Sequence, residues 1–581
     1  MIYRLSDQLP LEFHDLPASA RITAENTDGV SIVTVEPGPG CSRFSVEWQL
    51  PQDDIQFRWV SAAGKIGEGY PQFLPPDWFS AMTTELCRHA PVFSLVGADS
   101  GNRLTAAVSE SVEPVLFRCG VSEETFMMQC RIECTAVTPE SRIVFRFDQR
   151  RVPFSESLRE VAVWWENLPG LRPMPVPASA FDPVYSTWYS YHHGISADAV
   201  GQEVKSGLEY GMKTVIVDDG WQKIGRTGSY PSTGDWLEAD RFPDMKQHVR
   251  RIRETGVRYL LWVALPFIGE ESRVFPGLKE KLLYFSGALR TWILDPRFPE
   301  VRNHLVSTCV RLVKEWELDG LKLDFLDRFP LPAGIPDPAD CAPDAGRDCP
   351  GVDEGVNLLL DELTARLRAV NPDVLIEFRQ DYIAPAMRKY ANIFRASDCP
   401  GDRIANRRRI INLRQLSGGT AVHSDMLGWS PEEAVESAAR QLWNIVFSVP
   451  QLSVRLADLP EKHRRMLAFF LNFWTENRTL FLHSGLTPLH PELNYPLVMA
   501  ENGNTVAAVL YSEQALRITG LSGRRLIVIN ATASPELLLQ FQGKETRAEI
   551  RDCCGNPAGG VTLRDGIRSI AIPPSGVLVT E

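Results

Sequence analysis

The chain has 581 residues, 44% of them hydrophobic and 23% charged, and carries a formal net charge of −12. That length exceeds what one hydrophobic core supports, so about two to four domains are expected. The acidic balance excludes a general nucleic-acid binder, whose footprint would be basic, and no apolar run of about 18 residues offers a membrane span.

Residues Met1 to Ser6 lack a basic segment followed by an apolar stretch, so no secretory leader is read and a cytoplasmic location is expected. The eleven cysteines are scattered. Cys130 and Cys134 lie four apart and Cys553 and Cys554 are adjacent, and neither arrangement has zinc-site spacing. Reduced structural thiols are the expectation; Cys341 and Cys349 are a pair that an oxidising compartment could bridge.

Residues 1–177 read as all-β. Runs such as Val30 to Val35, Val92 to Val96 and Arg142 to Phe147 alternate or are β-branched, with Gly, Pro, Asn and Asp between them. Helical periodicity is scarce, which predicts a β-sandwich. The aromatic, proline-rich stretch Gly69 to Phe79 is expected at a core edge, with a lip over a neighbouring cleft as the alternative. Pro173-Met174-Pro175-Val176-Pro177 reads as a linker.

Over residues 178–484 strands alternate with amphipathic stretches. Strand-like runs fall at Tyr185–Tyr189, Thr214–Val217, Tyr259–Val263, Gly320–Phe325, Val374–Phe378, Ile393–Ala396, Thr420–His423 and Leu452–Leu456. Helical patterns fall at Ala197–Tyr210, Asp244–Thr255, Glu300–Trp316, Asp353–Val370, Ile404–Leu416 and Pro431–Val446. Eight strands alternating with helices over this length predict a (β/α)8 barrel. A doubly wound sheet is the alternative, but the first strand is not followed by a Gly-rich phosphate fingerprint. Residues 485–581 return to short strands and predict a small antiparallel β-domain. The fold class is therefore α/β, with a central TIM barrel between two β-domains.

In such barrels the functional residues end the strands. Leu318 to Phe325 is an apolar strand that carries Lys322 and Asp324 on one face. An ionised carboxylate in an apolar wall is costly unless paired, and Lys322 can supply that pairing. Strand one contributes Trp188, Tyr189 and His192; strand two ends in Asp218-Asp219-Gly220-Trp221; strand three ends at Trp262. Strand five ends at Glu377 and Arg379, strand six in Arg395-Ala396-Ser397-Asp398, and strand seven in His423-Ser424-Asp425. Each has a structural explanation: Asp-Asp-Gly is a common turn, Trp262 could be core, and Asp398 or Asp402 could cap the helix starting near Arg403. Acids at the same end of successive strands are not explained by stability.

The chain has no HExxH, no GxSxG elbow and no Walker lysine motif, which argues against zinc hydrolases, serine hydrolases and P-loop enzymes. What remains is carboxylate chemistry beside aromatic platforms, the equipment of a glycosidase. A retaining enzyme uses an ionised nucleophile and a protonated acid about 5–5.5 Å apart. Asp324 suits the nucleophile and Asp398 the acid/base, with Asp402 its competitor. Asp218 and Asp219 would accept hydrogen bonds from sugar hydroxyls, and Trp262 or Trp188 would stack on the ring.

At Asp218-Asp219-Gly220-Trp221, Trp262, Lys322-Leu323-Asp324 and Ser397-Asp398 the chain resembles the α-galactosidases of clan GH-D, most closely glycoside hydrolase family 36, with raffinose synthases further off. The order sandwich, barrel, β-domain matches as well. The resemblance implies that Asp324 attacks the anomeric carbon with Lys322 in support, that Asp398 is acid/base, and that Arg395 holds that region. It implies that Asp218 and Asp219 bind the O4 and O6 side of a galactose-like ring, with no metal and no cofactor. A carbohydrate substrate is thus expected, and a homo-oligomer is compatible with the resemblance. Where many members carry a Gly-rich C-S-G-G-G-R segment, this chain has Glu377 to Tyr382. The leading expectation is a retaining exo-α-galactosidase. The alternatives are an α-N-acetylgalactosaminidase or other α-glycosidase, a raffinose-synthase-type transglycosylase, and an inactive sugar-binding protein. The loop from Pro330 to Gly351 follows the nucleophile strand and is placed to reach over a cleft.

Overall fold

A computed structural model describes residues 2–6, 9–61, 74, 76–79, 81–341, 346–521 and 523–580. Most of the aromatic stretch Gly69 to Phe79 lies outside the described residues, as do residues 342–345 of the loop after Pro330.

Period-two alternation builds the N-terminal region. Met127–Cys134 buries every second residue, as a strand with one core face must. Twelve strands form two six-stranded antiparallel sheets. Between them lies a core containing Trp48, Phe93, Phe117, Phe145 and Phe147, in which Trp48 meets Phe147 edge-on at 5.1 Å between centroids. All eleven cysteines are free thiols, Cys341 and Cys349 among them.

The eight barrel strands are β1 (Val184–Ser186), β2 (Thr214–Val217), β3 (Arg258–Ala264), β4 (Gly320–Asp324), β5 (Leu375–Arg379), β6 (Ile393–Arg395), β7 (Ala421–His423) and β8 (Gln451–Leu452). They form one sheet in the order β7-β6-β5-β4-β3-β2-β1-β8. Parallel bridges His423↔Val449 and Leu427↔Leu452 join the β7 end to the β8 end. All five residues of β4 are buried, as expected of a parallel strand covered on both faces. Gly320 pairs with Leu375 of β5. A Cβ there would stand 2.0 Å from the Leu375 carbonyl oxygen, so only glycine permits that approach. The helices expected between strands form at Ala197–Leu208, Met245–Arg253, Pro299–Trp316, Val352–Val370, Arg403–Leu416 and Val435–Asn444. A 23-residue helix, Glu461–His483, follows β8 without having been foreseen.

The C-terminal strands form a seven-stranded and a three-stranded sheet. They are mostly antiparallel, with two exceptions: Thr505–Leu510 runs parallel to Arg525–Asn530, and Leu516–Thr519 parallel to Glu536–Gln542. A parallel pair needs a crossover, and here the chain leaves one sheet for a strand of the other before returning.

Packing groups the chain into two compact units. The first comprises residues 1–177, 219–250 and 260–394, and the second residues 178–218, 251–259 and 395–581. Within the first, the described parts of the 330–351 loop are anchored by ion pairs: Asp337 to Arg297 at 2.7 Å and Asp348 to Arg302 at 2.5 Å. No helix among the described residues is long and apolar enough to cross a membrane.

Candidate active site

In the first unit the candidate residues gather around Asp324, the last residue of β4. Phe325 takes a left-handed backbone conformation, φ 65°, which ends the strand and turns its N–H onto Asp324 Oδ1 at 2.7 Å. A bulky residue in that conformation costs of order 1–3 kcal/mol. Ring contacts offset this: Phe267 lies 4.6 Å and Tyr230 5.6 Å from Phe325, centroid to centroid. The indole N–H of Trp262 donates to Asp324 Oδ2 at 3.0 Å, and Arg379 Nε donates to Oδ1 at 2.8 Å. Both oxygens of a buried carboxylate are therefore held by donors, which favours its ionised form. The Arg379 guanidinium also reaches Asp327 at 3.3 Å and lies over the Phe325 ring at 5.5 Å. The hydroxyl of Tyr382 is 3.0 Å from the Leu323 carbonyl and 3.5 Å from Asp324 Oδ1. Burial, and secondarily the Asp324 charge, push this phenol far above its ordinary range, so it stays a neutral donor.

Lys322 is buried, with Trp262 of β3 and Glu377 of β5 as its register neighbours. The guanidinium ion-paired to Asp324 belongs to Arg379, which sequence reasoning noticed only as a strand ending. Register could have found it: Leu323 pairs with Phe378, so Asp324 and Arg379 are the next residues along two adjacent strands.

Asp219 is buried and held through Oδ1 by Gln222 Nε2 at 2.6 Å and Ser229 Oγ at 2.7 Å. Gly220 follows with φ 121°, outside the range of ordinary side chains. Trp221 was expected among the binding residues. It is wholly buried, its N–H donates to the Trp262 carbonyl at 2.8 Å, and it packs on Trp236 and Trp316. It supports the Trp262 strand from behind. Trp262, expected to stack on a sugar ring, is 2% exposed and gives its indole N–H to Asp324.

The second unit carries the other candidates. Arg395, the last residue of β6, is wholly buried and donates to Asp398 Oδ1 at 2.8 Å, while its other terminal nitrogen pairs with Asp425. Asp398 is exposed over about half of its side chain. Its backbone is fixed by Arg409, which donates to the carbonyls of Ser397 at 2.8 Å and Asp398 at 2.7 Å. Asp425 accepts from Tyr189 Oη at 2.9 Å and from the Cys399 N–H at 2.7 Å. Burial pushes the Asp425 carboxyl up, against the pull of Arg395. Burial raises the Tyr189 phenol, and the charges of Asp425 and Asp398 add to it. Asp425 and Tyr189 are thus parts of the Asp398 support that sequence reasoning left without a role.

Asp402 is the N-cap of Arg403–Leu416, accepting from the N–H groups of Ile404 at 3.1 Å and Ala405 at 2.9 Å. This is the capping role weighed for it. Asp218 is buried, and its N–H donates to Thr187 Oγ1 at 3.0 Å. Trp188 is half-buried in a short helix after β1, with His192 and His193 edge-on at 4.8 and 5.6 Å. His423 is a wall residue: Nε2 lies 2.8 Å from the Ala180 carbonyl and Nδ1 3.1 Å from Gln451 Nε2. Burial drives its pKa down to about 4, so it is neutral.

No protein-family model matches the chain. It is 23% identical over 252 residues to α-galactosidase 2 of Pediococcus pentosaceus; the match covers 42% of this chain and 33% of that protein. It therefore spans about a third of that relative's length. In fold it is similar to a GH36 α-galactosidase variant of Geobacillus stearothermophilus solved with 1-deoxygalactonojirimycin. There the TM-score is 0.63 at 15% identity, covering 99% of this chain and 82% of that one. It is also similar to the Thermus thermophilus α-galactosidase solved with stachyose, with a TM-score of 0.54 at 18% identity, covering 81% of this chain and 99% of that one. The chain has the fold of these α-galactosidases.

Proposed function

We propose that this GH36-like chain is a retaining exo-α-galactosidase that removes terminal α-linked galactosyl residues from oligosaccharides or glycosides by double displacement. The observation that carries the reading is Asp324: a buried carboxylate at the C-terminal end of a barrel strand, held at both oxygens by Trp262, Arg379 and the Phe325 N–H. A carboxylate held ionised and immobile is what a glycosyl nucleophile requires. Ligands of the fold neighbours, a galactose-like iminosugar and stachyose, support the choice of sugar.

Asp324 attacks the anomeric carbon as Asp398 gives its proton to the leaving-group oxygen, forming a β-galactosyl ester and a free alcohol. Asp398, now a carboxylate, takes a proton from water, whose oxygen displaces Asp324 and restores the α-anomer. Arg395 positions Asp398, with Asp425 holding Arg395 in turn. Lys322, Asp218 and Asp219 bind ring hydroxyls, and Trp188 contributes an aromatic face. The mechanism asks nothing of a metal or an organic cofactor. A cytoplasmic location and a homo-oligomeric state complete the proposal and rest on sequence alone.

The test is a panel of nitrophenyl glycosides (α-galactoside, α-N-acetylgalactosaminide, α-glucoside and β-galactoside) with proton NMR of the first-formed sugar. Release from the α-galactoside with α-galactose as first product, lost in Asp324→Asn at unchanged melting temperature, is the expected result. Near-wild-type turnover in that variant, or β-galactose as first product, refutes it.

A further inference from the structure

A cavity in the same unit as Asp398 is not used by the chemistry described above. It has a volume of about 620 Å³ and is lined by Tyr189, Pro400, Trp429, Pro431, Val454 and Leu459, among others. That lies within the roughly 300–1,000 Å³ of small-molecule sites. Pro400 and Gly401 lie on the loop that carries Asp398, and Tyr189 donates to the Asp425 that holds Arg395. A general acid stands beside the oxygen it protonates, so the leaving group must lie on the Asp398 side of the scissile bond. The cavity is therefore on the path of the aglycone.

Its chemistry says which aglycone. A site that reads sugar hydroxyls presents uncommitted donors and acceptors, because unmatched polar groups on either partner are penalised. Here several of the lining's polar atoms are engaged with protein, while the exposed His192 and Asp458 also border the cavity. Ser190 and Ser453 bond each other at 3.1 Å, and the Tyr189 hydroxyl is given to Asp425. The Arg455 guanidinium lies over the Tyr191 ring at 4.9 Å. The Trp429 N–H donates to His463 Nδ1 at 3.1 Å, and His463 is fixed in turn by the Glu433 carbonyl at 3.0 Å. That leaves the half-buried Trp429 ring oriented in advance, flanked by proline, valine and leucine.

We infer that this cavity is an aglycone site for an apolar group, aromatic or extended aliphatic, so that the enzyme favours α-galactosides of hydrophobic alcohols over α-galactosyl sugars. The inference rests on the α-galactosidase reading.

Methyl α-galactoside, 2-naphthylmethyl α-galactoside and α-galactosyl-(1→6)-glucose all release primary alcohols, so differences in kcat/KM report aglycone binding rather than leaving-group quality. The naphthylmethyl substrate is expected to exceed both others by at least about tenfold. Trp429→Ala, and separately the rim substitution Pro431→Glu, should bring the naphthylmethyl-to-methyl ratio close to one. A wild-type ratio near one, a preference for the disaccharide, or an unchanged ratio in both variants overturns the inference. Saturation-transfer NMR with 2-naphthylmethanol reads the cavity without turnover: a signal lost in both variants upholds it, and no signal or an unchanged one overturns it. Absence of hydrolysis of all three galactosides together with a Trp429-dependent signal would refute the α-galactosidase reading and leave the apolar site standing.

Discussion

The substitution Arg379→Gln tests the assignment of Asp324 most directly. The glutamine amide would retain a donor near Asp324 but remove the charge that faces Oδ1 at 2.8 Å. Asp324 is buried and Arg379 largely so, with side chains 9% and 12% exposed, so solvent screens the pair little. A hydrogen bond to a charged group in such a setting contributes about 1.5–3 kcal/mol. At about 1.36 kcal/mol per pH unit, its replacement by a neutral donor of about half the strength favours the protonated carboxyl by roughly half to one pH unit. The acidic limb of kcat/KM against pH, measured with p-nitrophenyl α-galactoside, should move up by that amount. Trp262 and the Phe325 N–H still hold the carboxylate, so activity on the plateau should survive in part. An acidic limb within about 0.3 pH units of wild type would refute the claim that this limb reports Asp324 held by Arg379.

Asp398→Ala should slow methyl α-galactoside by roughly 10²–10⁴-fold, and a dinitrophenyl α-galactoside far less, because a good leaving group needs little protonation; equal loss on both would remove Asp398 as acid/base. Asp402→Ala should cost about 1 kcal/mol of cap stability, read as faster amide exchange in the first turn of Arg403–Leu416, with leaving-group selectivity unchanged. If Asp402→Ala instead acquires the selectivity expected of Asp398→Ala, the acid/base lies four residues further on. Glu113 gives a pH effect on stability. Burial, with Glu110, Glu354 and Glu85 nearby, raises its carboxyl to about 7 from an ordinary 4.5. The folded chain keeps a proton there that the unfolded chain gives up. The stabilisation is therefore complete below about pH 4.5 and lost as pH rises through about 7, by about 1–2 kcal/mol after allowance for solvent screening. Glu113→Gln should flatten the fall in melting temperature between about pH 5 and 8; a fall as steep as wild type would refute the assignment.

The barrel was legible because its signals are local. Eight apolar runs separated by amphipathic stretches place eight strands, and the two most informative strings, Lys322-Leu323-Asp324 and Asp218-Asp219-Gly220-Trp221, end two of them. The C-terminal region was legible as strands but not as pairings. Whether a strand runs parallel or antiparallel to its neighbour depends on which sheet the intervening chain visits, and alternation within a strand carries no trace of that.

The same division runs through the candidate site. Which residue types end the barrel strands could be read directly from the chain, because alternation and turn residues are properties of a few consecutive positions. Which charges meet could not. Arg379 lies on the next strand and pairs with Asp324 because the β4–β5 register brings it there, which no local string of residues records. Asp398 and Asp402 follow the same strand and were rivals for one role, but helix geometry turns Asp402 into a cap, whereas Asp398 stays on the buried Arg395. Trp221 and Trp262 are both tryptophans near strand ends; packing buries the first wholly and gives the indole N–H of the second to a carboxylate. Contact partners, burial and the cost of leaving a charge unpaired depend on residues tens to hundreds of positions away, which come together only when the strands and helices pack.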